Sequence, residues 1–263
     1  MDRLLVMAAS ACFLVAIIRT LLAMRARVFT PGIFSFIAIA CGFLLQTAFL
    51  WIRGHAIGRC PITNLFEVFV FLAWSIVLTY MVVGPAYRLS LMGAFTAPLV
   101  FVIQAFALLA PVDVRHQVRT PANSWLEFHA SISMIAYGAF ALACVAGLMY
   151  LLQERQLKTH QLHSMFRHLP PLHDLFAALT RLLWFGFVLY TAGLVSGFFT
   201  GQPLPLPKMI AALTVWLLYA AILQGRHLFR LPPRQVAVLC VVAFTAAVSV
   251  LWGINFVSQQ IPA

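Results

Sequence analysis

Eight long apolar stretches divide this chain, and they leave it little choice of solvent. They run roughly Leu4–Ile18, Gly32–Ile52, Leu65–Val83, Leu91–Ala110, His129–Gln153, Leu182–Gly201, Met209–Gln224 and Gln235–Val257. At 1.5 Å per residue, about 20 residues cross a bilayer core about 30 Å thick. The first and seventh stretches reach that length by borrowing flanking residues. None alternates with period two, which excludes a transmembrane barrel. Every backbone amide in lipid has to be paired inside its own segment, so each stretch reads as a helix. The expected fold is all-α: a polytopic transmembrane helical bundle of about eight spans, one integral membrane domain over residues 1–263. Its only sizeable wet piece is a short inner amphipathic segment at 154–181.

Composition excludes the alternatives. Hydrophobic residues make up 63% of the chain and charged ones 9%, against about 45–50% and about 25% in soluble domains. So few charges cannot cover a water-exposed surface, which removes a soluble enzyme. Disorder fails on 23 Phe, and collagen-like or disulfide scaffolds fail on 14 Gly and 5 Cys.

The basic residues choose an orientation. With the segments after odd-numbered spans inside, the inner side collects Arg19, Arg25, Arg27, Arg88, Arg155, Lys158, Arg167, Arg181, Arg226, Arg230 and Arg234. The outer side holds Arg3, Arg53, Arg59, Arg115, Arg119 and Lys208. Both termini are therefore expected outside. Membrane lipids account for the net charge of +11, and no nucleic acid partner is expected. Ala9-Ser10-Ala11-Cys12 faintly resembles a lipoprotein cleavage box, but the apolar run before Cys12 is short, so the first stretch is read as a retained helix. Cys12, Cys41, Cys144 and Cys240 lie in spans, Cys60 lies in an outer loop, and no CxxC occurs, which argues against thiol–disulfide or zinc chemistry.

Histidine is the main candidate for chemistry, because imidazole ligates haem iron and carries protons. His129, Ser133 and Tyr137 stand at i, i+4 and i+8, on nearly one helix face. Trp125 and Phe128 precede them. Two readings are open: an interfacial histidine, or an outward haem ligand with an aromatic wall, steadied by the hydroxyls below it. His227 lies past the inner end of the seventh span, with Trp216 and Tyr219 up the helix; a helix C-terminus favours a histidine for its dipole alone. Separated by about 25–30 Å of hydrocarbon, His129 and His227 cannot share one iron. His55 and His116, in outer loops, are candidates to complete a bis-His pair with His129, and Arg53, Arg59, Arg115 and Arg119 to meet propionates. His160, His163, His168 and His173 fit no zinc spacing and read as part of the inner amphipathic segment.

Other polar features have structural readings. Asn64-Leu65-Phe66-Glu67 resembles a capping box. Gln46, Gln104 and Asn255 are expected to tie helices together. Gly193, Gly197 and Gly201 form a stripe for close packing. No paired acids, nucleophile elbow or phosphate loop supports hydrolysis or nucleotide chemistry, and no enzyme activity is expected.

In order along the chain stand Arg53-Gly54-His55, Pro61-Ile62-Thr63-Asn64-Leu65-Phe66-Glu67, Trp74, His129-x-x-x-Ser133-x-x-x-Tyr137 and Leu169-Pro170-Pro171-Leu172 with Leu175. Gly186, Thr191, Gly193, Gly197, Trp216, Tyr219 and His227 follow. From about Trp51 onward this pattern resembles the cytochrome c assembly proteins of the CcsA/CcmC type, and most of all their shorter inner-membrane branch that includes HemX and YpjD. The resemblance implies haem as cofactor, His129 as outward ligand and His227 as the histidine of an inner site. It also implies a multi-pass location in the bacterial inner (plasma) membrane, with other cytochrome c maturation or haem-synthesis proteins as partners. The family's Trp-rich haem-presenting segment is replaced here by Ser196-Gly197-Phe198-Phe199-Thr200-Gly201, and no histidine follows Trp252. The HemX/YpjD branch shares both features. The expected function is thus binding or relaying haem in cytochrome c assembly. The alternatives are a HemX-like membrane regulator or scaffold of tetrapyrrole synthesis without a haem site of its own, and a transporter for a small hydrophobic molecule.

Overall fold

A computed structural model describes residues 2–25, 33–83, 92–109, 123–159, 171–201 and 206–260. His116, His160, His163, His168, Arg27, Arg88, Arg115, Arg119 and Arg167 lie outside the described residues, as does the side chain of Asn255. The helices are α1 (Asp2–Arg25), α2 (Ile33–Ile57), α3 (Leu65–Val83), α4 (Met92–Leu109), α5 (Ser124–Thr159), α6 (Leu172–Gly197), α7 (Leu206–Leu228) and α8 (Pro233–Gln260). A 3₁₀ turn, Phe198–Thr200, continues α6. All eight helices are long and apolar enough to cross a membrane. The described residues contain no strand.

Two helices outrun their apolar stretches, and capping explains both. α5 begins at Ser124 instead of His129. The Asn123 carbonyl accepts the N–H groups of Leu126 and Glu127 at 2.9 and 3.1 Å, and its side-chain oxygen accepts that of Trp125 at 2.9 Å. His129 therefore sits in the second turn of α5 and does not open it. At the other end the Lys158–Glu154 pair, 2.7 Å apart at i,i+4, carries α5 past Gln153. α6 starts at Leu172, well before Leu182. The Pro171 carbonyl accepts from Asp174 and Leu175, and Asp174 suits the positive end of the helix dipole. Leu175, Ala178 and Leu179 are fully buried. Residues 172–181, read from sequence as wet, thus belong to the packed bundle.

α5 is the hub, packed against α3, α6 and α8, while α1 packs on α2 and α4. Small residues let the backbones approach, as membrane helices without a hydrophobic drive between them require. A β-carbon at Gly138 would stand 2.6 Å from the Ser75 carbonyl oxygen of α3. One at Gly186 of α6 would stand 2.8 Å from the Phe140 ring. Phe140 in turn stacks on Tyr219 of α7, centroids 3.6 Å apart. The two glutamines join helices as expected: Gln46 Nε2 donates to Gln104 Oε1 at 3.4 Å, and Gln104 Nε2 to the Val6 carbonyl at 3.2 Å.

Candidate functional site

The start of α5, the end of α6 and the loop between α2 and α3 meet at one end of the bundle. Asn123 Nδ2 donates to the Thr200 carbonyl at 2.7 Å, fastening α5 to the 3₁₀ turn. From the loop, Cys60 N–H donates to Glu127 Oε1 at 3.3 Å. Behind the loop lies a buried acid: Glu67 accepts Arg53 Nε at 2.7 Å and both the N–H and hydroxyl of Thr63, at 2.8 and 2.7 Å. The N–H of Glu67 donates to the Asn64 side chain at 2.8 Å, the N-cap that the sequence suggested.

His129 is half-buried between α5 and the glycine stripe of α6. Its Nδ1 lies 2.6 Å from the Gly193 carbonyl oxygen. A carbonyl only accepts, so Nδ1 carries the proton and the neutral ring presents a lone pair on Nε2. That is the state a metal ligand needs, with a backbone carbonyl fixing tautomer and orientation. The ring rests against Gly197, where a β-carbon would stand 3.2 Å from Cε1 and 3.3 Å from Nδ1. One turn below, Ser133 Oγ would lie 2.5 Å from a β-carbon at Gly193. The ring is held by the Gly193 backbone, and not by hydroxyls as the sequence suggested. Ser133 packs on glycine, and Tyr137 is withdrawn into the core against Tyr190, centroids 5.7 Å apart. Gly201 leaves the stripe: it ends the 3₁₀ turn at φ +64° with open space around it.

Beside this histidine runs an apolar groove of about 590 Å³ along α6, walled at its α5 end by Trp125 and Phe128 and capped by Phe199. Trp125 and Phe199 lie 5.3 Å apart, tilted by 33°. His129 adjoins the groove without lining it. His55 stands on the last turn of α2, its Nδ1 3.1 Å from the Trp51 carbonyl and its ring 4.2 Å from that of Trp51. It is exposed, and these contacts hold it to its own helix; the structure brings no contact between His55 and His129.

The opposite end holds His227, exposed on the last turn of α7. It lines a recess of about 400 Å³ with Arg226, Arg230, Trp184, Leu223 and Leu231. Along α6, the Gly193 carbonyl and Trp184 are separated by about 13 Å of helix axis. The two histidines therefore belong to separate places. Among the described residues no three His, Cys, Asp or Glu side chains converge. Any iron here takes isolated axial ligands and not a protein cage.

The sequence profile described as "Cytochrome C assembly protein" matches residues 62–261. The chain belongs to the cytochrome c assembly protein family. The cytochrome c biogenesis protein CcsA of Synechococcus sp. (strain CC9902) is 29% identical over 260 residues, covering 86% of this chain and 84% of that protein. CcsA of Prochlorococcus marinus (strain MIT 9301) is 29% identical over 242 residues, 81% of this chain and 78% of its own. Protein HemX of Brevibacillus brevis is 28% identical over 159 residues, 60% of this chain and 58% of its own.

The family match includes both His129 and His227 and leaves out His55. Sequence reasoning missed three parts of these sites. The glycine stripe was noted, but nothing in a linear pattern says that it faces His129. Trp184 and the two arginines beside His227 looked like parts of unrelated segments. The Cys60–Glu127 contact joins residues that only the helix arrangement brings together. Burial pushes the Cys60 thiol up from its ordinary pKa; the Ser131 hydroxyl, 3.9 Å away, opposes this, and the Glu127 and Glu67 carboxylates add to it. Cys60 thus stays a thiol, not a nucleophile.

Proposed function

We propose that this protein binds haem, and holds or relays it during cytochrome c assembly, without enzymatic chemistry of its own. It would lie in the inner (plasma) membrane of a bacterium, with the His129 end and both termini outside and His227 inside, and act with other cytochrome c maturation or haem-synthesis proteins. One observation carries the reading: the Gly193 carbonyl engages Nδ1 of His129 and leaves Nε2 unprotonated. A structural interfacial histidine has no need of that arrangement, whereas a haem ligand does. The donor set fits: His129 as outward ligand, Trp125 and Phe128 as the adjoining aromatic wall, and His227 as ligand of a separate inner site. Tyr137, buried against Tyr190, supports the helix beneath and touches no ligand. His55 carries a free Nε2 but belongs to α2. Bound haem would supply the iron and its redox chemistry; the chain supplies orientation, an apolar setting and exclusion of water.

The test is a visible spectrum of the full chain purified in mild detergent, before and after adding hemin. A Soret band that is lost or shifted in His129→Ala supports the reading. A colourless protein that takes up no hemin overturns it and leaves the HemX-like scaffold.

A further inference from the structure

The recess around His227 is built for an anionic head on an apolar body. Arg226 and Arg230 line it together with Trp184, Leu223 and Leu231. Arg226 lies flat over the Phe176 ring, 4.1 Å from its centroid. Stacking occupies the faces of a guanidinium and leaves its N–H edge available for oxygen acceptors. Among the described residues neither arginine has a carboxylate partner. Glu154, the nearby acid on α5, takes Lys158 at 2.7 Å and Arg234 at 3.8 Å. Asp174 is exposed on the first turn of α6 and pairs with neither arginine.

Arg230 adds an independent sign. It has φ +48°, the only non-glycine with positive φ among the described residues. α7 ends in a Schellman-type turn, with the N–H of Leu231 donating to the Gly225 carbonyl at 3.4 Å. Leu231 Cδ1 closes over Gly225, 2.7 Å from where a β-carbon would stand. The left-handed position of such a turn ordinarily carries glycine, because a β-carbon strains it. Here the position carries a guanidinium that lines a recess. Strain kept at a site is a pointer to its use.

We propose that Arg226 and Arg230 form a clamp for the carboxylate or phosphate oxygens of an amphiphile whose apolar part lies against Trp184, Leu223 and Leu231. Two sources supply that chemistry, tetrapyrrole propionates or an anionic phospholipid head. Only the first rests on the haem reading above.

The experiment uses the full chain in detergent, and the variants Arg230→Gly and Arg226→Gln/Arg230→Gly. Binding of hemin is compared with that of hemin dimethyl ester, which lacks the anionic oxygens. Co-purified phosphatidylglycerol is compared with phosphatidylcholine by native mass spectrometry. The clamp predicts that Arg230→Gly lowers one of these preferences about tenfold while the thermal midpoint holds or rises, since glycine relieves the turn. Loss of the hemin-over-ester preference assigns propionates. Loss of the phosphatidylglycerol preference, with hemin and ester alike or both unbound, assigns a lipid head, and an unbound hemin then fails the haem reading alone. The proposal is overturned if the double variant keeps both preferences, or if the unsubstituted protein has neither.

Discussion

Replacing Gly197 by alanine tests whether the α6 backbone holds His129 in its ligating state. The new β-carbon would stand 3.2 Å from Cε1 and 3.3 Å from Nδ1, inside the ordinary 3.4–4 Å contact range. The ring has to move by a few tenths of an ångström, and it is tied to the Gly193 carbonyl by a 2.6 Å hydrogen bond. Lengthening that bond weakens an interaction worth about 0.5–1.5 kcal/mol, and removing a metal ligand's supporting partner costs roughly 10–100-fold in affinity. Since Gly197→Ala disturbs the partner without deleting it, hemin affinity should fall by about tenfold, the low end of that range. Titration followed at the Soret band measures it. Gly201→Ala is the control: a β-carbon there meets nothing within 4 Å, but φ is +64°, so the cost is strain of roughly 1–2 kcal/mol in the fold and none at the ring. The reasoning is refuted if Gly197→Ala binds hemin as the unsubstituted protein does, or if Gly201→Ala weakens it equally.

Two further outcomes follow from the packing. Gly138→Ala pushes α3 and α5 apart, because the clash is with the Ser75 backbone and no side-chain rotation relieves it. It should lower stability in detergent by about 1–3 kcal/mol, read as an earlier thermal midpoint; an unchanged midpoint means that the two helices are not seated so closely. Cys60 has its pKa raised above the usual thiol value, by burial first and by Glu127 and Glu67 in addition. A higher pKa leaves less thiolate at a given pH, so alkylation at pH 8 should be slower than for a free cysteine. It should quicken in Glu127→Gln, which removes one raising charge. Cys60 reacting like free cysteine would refute the seating of the loop on α5.

The fold was legible because lipid reduces the problem to one dimension. An apolar run of span length with no period-2 alternation has only one backbone solution, so the eight helices follow from the sequence. Their ends did not. α5 and α6 continue past the hydrophobic boundary, and those residues are held by Asn123, by the Lys158–Glu154 pair and by the Pro171 carbonyl, none of which a hydropathy pattern weighs. The shift changes the site: His129 moves from the mouth of a helix to its second turn, where the α6 stripe can reach it.

The site was only half legible, for a reason of the same kind. A histidine, an aromatic pair and a glycine stripe can each be seen in a string of letters, and each has an unremarkable reading. What joins them is the register between α5 and α6, set by side chains against missing side chains: Phe140 on Gly186, Ser133 on Gly193, His129 on Gly197. The residues run upward on α5 while the glycines run downward, so antiparallel packing alone aligns three contacts through the membrane. Removing the side chains from α6 brings a backbone carbonyl close enough to hold an imidazole. The same glycines that pack the bundle therefore set the tautomer of the histidine, and a change meant to loosen one should be felt by the other.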